Sequence, residues 1–461
     1  MVRRLVPALP LALSMATAAA AQTNDPAGRP VSKSDYALTN VRIVAAPGRV
    51  IERGTVVFVN GRITAVGANV TVPAGVVRMD LAGHTVYPGL IDAATSIGLP
   101  SPNRALPTPA DPAAAPAGGR GGGGRGAGQP LGRGGPGVAP VVLLPEVEAD
   151  AEAADMFQPS DADLRALRAG GVTTVGLVFS GGIFPGRVGA ALTGSRENSR
   201  LALRTGAAQE VSFGTKRGGQ YPGTGIGSVA FIRQSFLDAQ YEARVDKAFK
   251  AGTPGARPSN DPFSRALIAA ATNTIPSWFV ASNERQILRV ADIATEMELK
   301  NPVVVGSQEG WRAIPALKRM GATAVVSVNW PSPDSVTGRV FQAIGIGKSG
   351  TAPALTAADT NEVRGNAAAL IKAGVPVALS SFGGASGANY RERIRLAIAA
   401  GLTPDDALRA ATVTPAALLG VTSAVGTIEV GKLANVVVVS GNDLFAAGSP
   451  IKHVFVEGRI Y

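Results

Sequence analysis

The chain has 461 residues, 46% of them hydrophobic and 17% charged, with a formal net charge of +11, no cysteine and two histidines. That apolar content excludes wholesale disorder, and the absence of cysteine excludes a disulfide scaffold. Having only His84 and His453 excludes any site that needs three or more imidazoles.

Residues 1–21 read as a secretory signal: Arg3 and Arg4 give the basic start, Leu5 to Leu13 the apolar stretch, and Ala19-Ala20-Ala21 a small-residue cleavage site. The apolar run is shorter than the ~20 residues a spanning helix needs and is interrupted by Pro7 and Pro10, so no membrane span is expected. A periplasmic or secreted protein follows.

Residues 36–85 alternate in the manner of strands. The runs are Ala37–Val44, Thr55–Val59, Arg62–Val66 and Val76–Leu81, with Asn60-Gly61 as a hairpin turn. The C-terminus repeats the pattern at Thr427–Val430, Ala434–Ser440 and His453–Ile460. Two strand blocks bracketing the chain predict a small composite β-sandwich built from 22–85 and 421–461. Between them, over 86–420, near-continuous apolar strands alternate with helices. Examples are Val172–Phe179 after a helix near Ala162–Ala169, Trp278–Val280 before a helix at Glu284–Leu299, and a helix at Asn361–Ala373 feeding Val375–Leu379. This is the signature of an α/β parallel sheet, open or closed.

Residues 101–140 interrupt it. Half of them are Gly or Pro, with four Arg and a single acid, Asp111. A segment of this kind buries no apolar surface and is expected to be a flexible insertion. Its Arg-Gly core is like tracts that bind nucleic acid, but it lacks aromatic residues and the chain is expected to be exported, so no nucleic-acid partner is predicted. Ala251–Asp261 is a second loose stretch. Gly181-Gly182-Ile183-Phe184-Pro185-Gly186-Arg187 is Gly-rich without the Gly-Lys-Ser/Thr ending of a phosphate-binding loop, and reads as a barrel loop.

The most specific string is Asp80-Leu81-Ala82-Gly83-His84-Thr85 followed by Val86-Tyr87-Pro88-Gly89-Leu90-Ile91-Asp92-Ala93. It resembles the start of the barrel in the amidohydrolase superfamily, in particular its imidazolonepropionase-like and dihydroorotase-like secreted branch. Asn60 to Gly67 resembles that family's N-terminal hairpin, and Val425 to Val439 its C-terminal return, with Asn435 where Asp is usual. Gly171–Val175 and Thr403–Gly420 add to the likeness. The resemblance implies a (β/α)8 TIM-type barrel over 86–420, hydrolysis of C–N bonds in amides or cyclic amides, and zinc or another divalent metal as cofactor.

The residues do not supply that metal centre. Two imidazoles at i and i+2 on the first strand would both face the barrel mouth. The resemblance places them at 94 and 96, which are Ala94 and Ser96. The Asp expected after the last strand is replaced by Phe382. His84 and His453 both fall in the composite domain. No metal or other cofactor is therefore expected, and the degenerate ligand positions mark a pseudoenzyme. Small residues at these positions vacate volume that the Phe382 ring could fill. A polar rim remains at strand ends: Thr95, Ser180, Ser307, Glu309, Asn329, Ser380 and Ser381. A serine nucleophile there would need a base, and neither Lys348 nor Lys372 is spaced to serve. The expected role is a binding or partner subunit, with a small-molecule ligand, a second copy or an active amidohydrolase relative as partner. The alternative is a C–N hydrolase working without the usual metals.

Overall fold

The computed structural model describes residues 35–100, 148–195, 201–215, 221–330, 357–384 and 387–461. The expected signal at 1–21 and insertion at 101–140 lie outside the described residues.

Five N-terminal strands, β1 (Tyr36–Ala46), β2 (Arg49–Val59), β3 (Arg62–Gly67), β4 (Val77–Asp80) and β5 (His84–Pro88), join three C-terminal strands in one eight-stranded sheet. The latter are β14 (Val436–Ser440), β15 (Ile451–Val456) and β16 (Arg459–Ile460). The two ends of the chain meet where β14 pairs with β5, Val438 opposite Val86. β1 pairs with β4 through its first half and with β5 through its second. The sheet folds over its own core. Phe58 on β2 and Phe455 on β15 are four strands apart along the sheet, yet their rings lie 5.1 Å apart. The sandwich is thus one sheet bent upon itself. Thr427–Val430 is not a strand: it runs beside the sheet edge, with Ile428 N donating to Ala45 O (2.8 Å) and Gly431 N to Ile63 O (2.8 Å).

The second sheet has eight strands in chain order: β6 (Leu90–Thr95), β7 (Val172–Leu177), β8 (Arg187–Leu192), β9 (Ala202–Ser212), β10 (Ser277–Ala281), β11 (Val303–Gly306), β12 (Thr323–Ser327) and β13 (Val377–Ser380). It curls into a nearly closed barrel. Seven strands are parallel, and β8 runs antiparallel to both β7 and β9. Among the described residues no helix lies between β7 and β9, so the chain makes that passage by a meander rather than by two helical crossovers. Around the barrel lie α1 (Asp161–Ala169), α2 (Gly225–Lys250), α3 (Pro262–Ala271), α4 (Glu284–Glu296), α5 (Ile314–Arg319), α6 (Ala357–Lys372), α7 (Tyr390–Ala399), α8 (Pro404–Ala410) and α9 (Val413–Leu418).

Alternation along the strands sorts two cores. Ile91, Ala93, Val188, Ala208, Trp278, Val303, Val305, Val325 and Ala378 fill the lumen as one apolar cluster. Neighbours such as Leu90, Phe279, Val304, Val326 and Leu379 point outward against the helices. The lumen is packed side chain, not channel. The crossover from β5 to β6 is tight. A Cβ added at Gly89 would lie 2.1 Å from Thr173 Oγ1, so only glycine fits between the two domains there.

No hydrogen-bonded ladder joins β13 to β6. Side chains stitch that seam. The buried Tyr390 hydroxyl lies 2.8 Å from Leu379 O and 3.2 Å from Ile91 O, and Ser381 N donates to Asp92 Oδ1 at 2.8 Å.

Candidate functional site

The C-terminal ends of the seven parallel strands define the barrel mouth, where this architecture places its chemistry. At the end of β6, Ala94 is fully buried in the lumen cluster and Thr95 is buried behind it, while Ser96 is half-buried. Across the seam Phe382 follows β13. Its side chain packs against the same lumen cluster that contains Ala94, and its carbonyl accepts from Ser327 Oγ at 2.6 Å.

The structure gathers only part of the expected polar rim. Thr95 and Ser381 meet at the seam, their hydroxyls 3.4 Å apart, with Ser380 beside them reaching Val326 O at 3.5 Å. Asn329 joins from β12, donating from Nδ2 to Gly383 O at 2.7 Å. Ser307 and Glu309 belong to a separate strap after β11. Ser307 takes an unusual positive φ of 28°, its hydroxyl donates to Val304 O (2.9 Å), and Asn366 Nδ2 donates to its carbonyl (2.6 Å). Glu309 Oε2 accepts from Glu284 N at 3.0 Å and so tethers the first turn of α4. Ser180 is exposed after β7. Lys372 is exposed at the end of α6, which leads into the far end of β13, and Lys348 lies outside the described residues. The Gly-rich 181–187 loop buries Ile183 and Phe184, accepts from Ser212 Oγ through Gly182 O (2.6 Å), and turns the chain into β8. These polar groups are largely committed to backbone partners.

Two buried carboxyl groups, to which the sequence reading assigned no role, dominate the electrostatics. Asp92 accepts from Ser381 N, from Ser381 Oγ at 2.5 Å and from Ala94 N at 3.4 Å. Burial pushes its pKa up to about 7 against the lowering effect of those donors. Glu210, in register with Trp278 on the neighbouring strand, is fully buried. Its Oε2 accepts from Phe179 N at 2.8 Å, while Oε1 and the Trp278 indole N–H have no hydrogen-bond partner among the described residues. Burial raises its pKa well above the carboxylate range. The signal for Glu210 was the Gln209-Glu210 pair within the apolar run Ala207 to Val211, where a polar pair interrupts a buried strand.

A catalytic zinc is held by about three protein ligands, usually including imidazoles. Among the described residues no three His, Asp or Glu side chains cluster in a way that could hold a metal ion. His84 and His453 sit on β5 and β15 of the small domain, on either side of β14. The mouth offers hydroxyls and two buried carboxyl groups that burial drives toward their protonated forms. This donor set does not fit the divalent metal centre that the fold implies.

Residues 348–461 match the sequence profile of the amidohydrolase family. No curated protein matches the sequence. Among solved structures, an amidohydrolase from Thermotoga maritima MSB8 is similar over 92% of this chain and 99% of its own, at 22% identity and a TM-score of 0.70. A prolidase complexed with N-methylphosphonate-L-proline covers 93% and 99% at 16% identity and a TM-score of 0.51. Phenylurea hydrolase B covers 93% and 97% at 16% identity and 0.51. By sequence over residues 348–461 the chain is similar to the amidohydrolase family, and over its described length it shares the fold of these solved amidohydrolase, prolidase and phenylurea hydrolase structures.

Proposed function

We propose that this chain is an exported amidohydrolase-fold protein that has lost the metal-dependent reaction and works as a binding or partner subunit, in the imidazolonepropionase-like and dihydroorotase-like branch that its motifs resemble. The observation that carries the reading is the packing of Ala94 and Phe382 in one apolar cluster at the positions where the family resemblance expects metal ligands. The rim supports it, since most of its hydroxyls and amides are tied to backbone groups or to the Asp92 carboxyl rather than converging on an open point. Export rests on the signal-like stretch that ends at Ala21. Among the described residues, no helix is long and apolar enough to cross a membrane.

The test combines metal content with turnover. Purified protein is chelated, reloaded with zinc, analysed for bound metal and assayed against amides, lactams, proline dipeptides and phenylureas; the last two classes come from the similar prolidase and phenylurea hydrolase structures. The expected result is far less than one zinc per chain and no hydrolysis. Ala94→His with Ser96→His is expected to remain inactive, because the other ligands and the proton-shuttling acid are still missing. One tightly held zinc per chain, with activity that follows the metal, would falsify the reading.

A hydrolase without a metal centre is the second reading, and Glu210 is what favours it. A carboxyl of raised pKa with one oxygen unengaged has the properties of a general acid. Metal-independent turnover abolished by Glu210→Gln would select this reading over the first.

A further inference from the structure

Helix α2 is the longest in the described chain, and it carries large apolar residues on both faces. Its inner face buries Ser228, Ile232, Ser235, Phe236, Ala239 and Glu242 against the rest of the molecule. Opposite them, at spacings of three and four, run Ile226, Ala230, Gln234, Leu237, Tyr241, Arg244 and Ala248. Ile226 is 82% exposed, Leu237 46% and Tyr241 58%. A helix packed by one face normally presents polar residues on the other. Here the outer face repeats the seam of a two-stranded coiled coil, with Gln234, Tyr241 and Ala248 on one row and Ala230, Leu237 and Arg244 on the next.

We propose that this face pairs with the same face of a second copy, the two α2 helices packing antiparallel about a two-fold axis. The argument is self-complementarity. In an antiparallel seam the first row of one copy meets the second row of the other. A single register then places Leu237 against Tyr241, Gln234 against Arg244 and Ala230 against Ala248, each contact occurring twice. The polar layer is matched in charge as well as position. Gln234 Nε2 donates to Asp238 Oδ1 at 2.7 Å, leaving amide and carboxylate oxygens directed at the guanidinium of Arg244 from the second copy. Arg244 already lies over the Tyr241 ring, 5.9 Å from its centroid, which places that charge at the seam. The remaining acids of the helix are engaged within the chain: Asp246 pairs with Arg265 and the inward-facing Glu242 accepts from Ser259 N. Arg233 is likewise held by Glu296 on α4.

The overlap spans residues 228–250, about 35 Å long and roughly 10 Å wide, which is less than the ~800 Å² per partner of a standard stable interface. The dimer is therefore weak, dissociating in the micromolar range, with Leu237 and Tyr241 as its anchors. It does not depend on whether the barrel is catalytic.

Sedimentation equilibrium of the full mature chain from about 1 to about 500 μM tests it. The wild type is expected to shift from monomer to dimer, and Leu237→Glu with Tyr241→Glu to stay monomeric with unchanged circular dichroism. Arg244→Asp and Asp238→Arg should each weaken the dimer, and their combination should restore part of it. Because the chain has no cysteine, cross-linking fixes the orientation even if the charged variants fold poorly. A mixture of Ala230→Cys and Ala248→Cys chains should oxidise to a mixed dimer, in preference to either homodimer. A wild type that stays monomeric throughout, a dimer indifferent to Leu237 and Tyr241, or preferential Ala230→Cys homodimers would each overturn the proposal.

Discussion

Replacing Asp92 by Asn should remove a pH-dependent loss of stability. The carboxyl is fully buried at the β6–β13 seam, and its pKa rises from 3.8 to about 7 on folding. For an acid whose folded pKa lies above its unfolded one, the favourable contribution is complete below the unfolded value and is lost as pH climbs through the folded value. A shift of about three units corresponds to about 4 kcal/mol in total, of which roughly 2.5 kcal/mol develops between pH 5 and pH 8. Asn keeps the shape of the side chain. Its Oδ1 still accepts from Ser381 N, and its amide can donate to the Ser381 hydroxyl, which then acts as acceptor. Urea unfolding of both proteins at several pH values isolates the effect, because other titrating groups are common to the pair. The stability difference, variant minus wild type, should grow with pH by roughly 2–3 kcal/mol over that interval. A difference that is flat with pH, or an Asp92→Asn variant that falls progressively below wild type as pH rises, would show that Asp92 is ionised and stabilised by its three donors. Glu210 shares the direction of the shift, so Glu210→Gln should behave in the same sense.

Tyr390→Phe deletes the hydroxyl that bridges Leu379 O and Ile91 O. Leaving buried carbonyls without a donor should cost about 1–3 kcal/mol, read by denaturant unfolding, and an unchanged midpoint would mean the seam does not rely on it. Gly89→Ala should cost more than about 3 kcal/mol or abolish soluble expression, because the new methyl group would collide with Thr173. Thr173→Ala in the same chain should recover part of the loss.

The sequence alone determined much of the architecture. The apolar strands from Val172, Trp278, Val303, Ala322 and Val375 are long or β-branched enough to announce a buried parallel sheet. The Val86–Ala93 string marked the crossover into it, and Asn60-Gly61 marked the hairpin, which the structure forms with both residues at positive φ. Two elements were not legible. β8, Arg187-Val188-Gly189-Ala190-Ala191-Leu192, is composed mostly of small residues with weak strand preference, and its antiparallel course follows from packing against β7 and β9. α2 shows no clear hydrophobic periodicity because its outer face is apolar too. Thr427–Val430 alternates like a strand but is drawn into edge contacts by Ala45 and Ile63, which are remote in sequence.

Composition was enough to bound the imidazoles at two, since histidines can be counted without knowing where they lie. Which polar side chains are free was largely a tertiary matter: Ser307 turns back on Val304 O of its own strand, but Asn329 and Ser381 are claimed by partners remote in sequence, Gly383 O and the Asp92 carboxyl group. The same holds for Asp92 and Glu210. An acidic residue in an apolar run signals tension, but its proton affinity depends on how much water the closed barrel excludes and how many donors reach it. Those quantities arise only when strands far apart in the chain are brought within hydrogen-bonding distance.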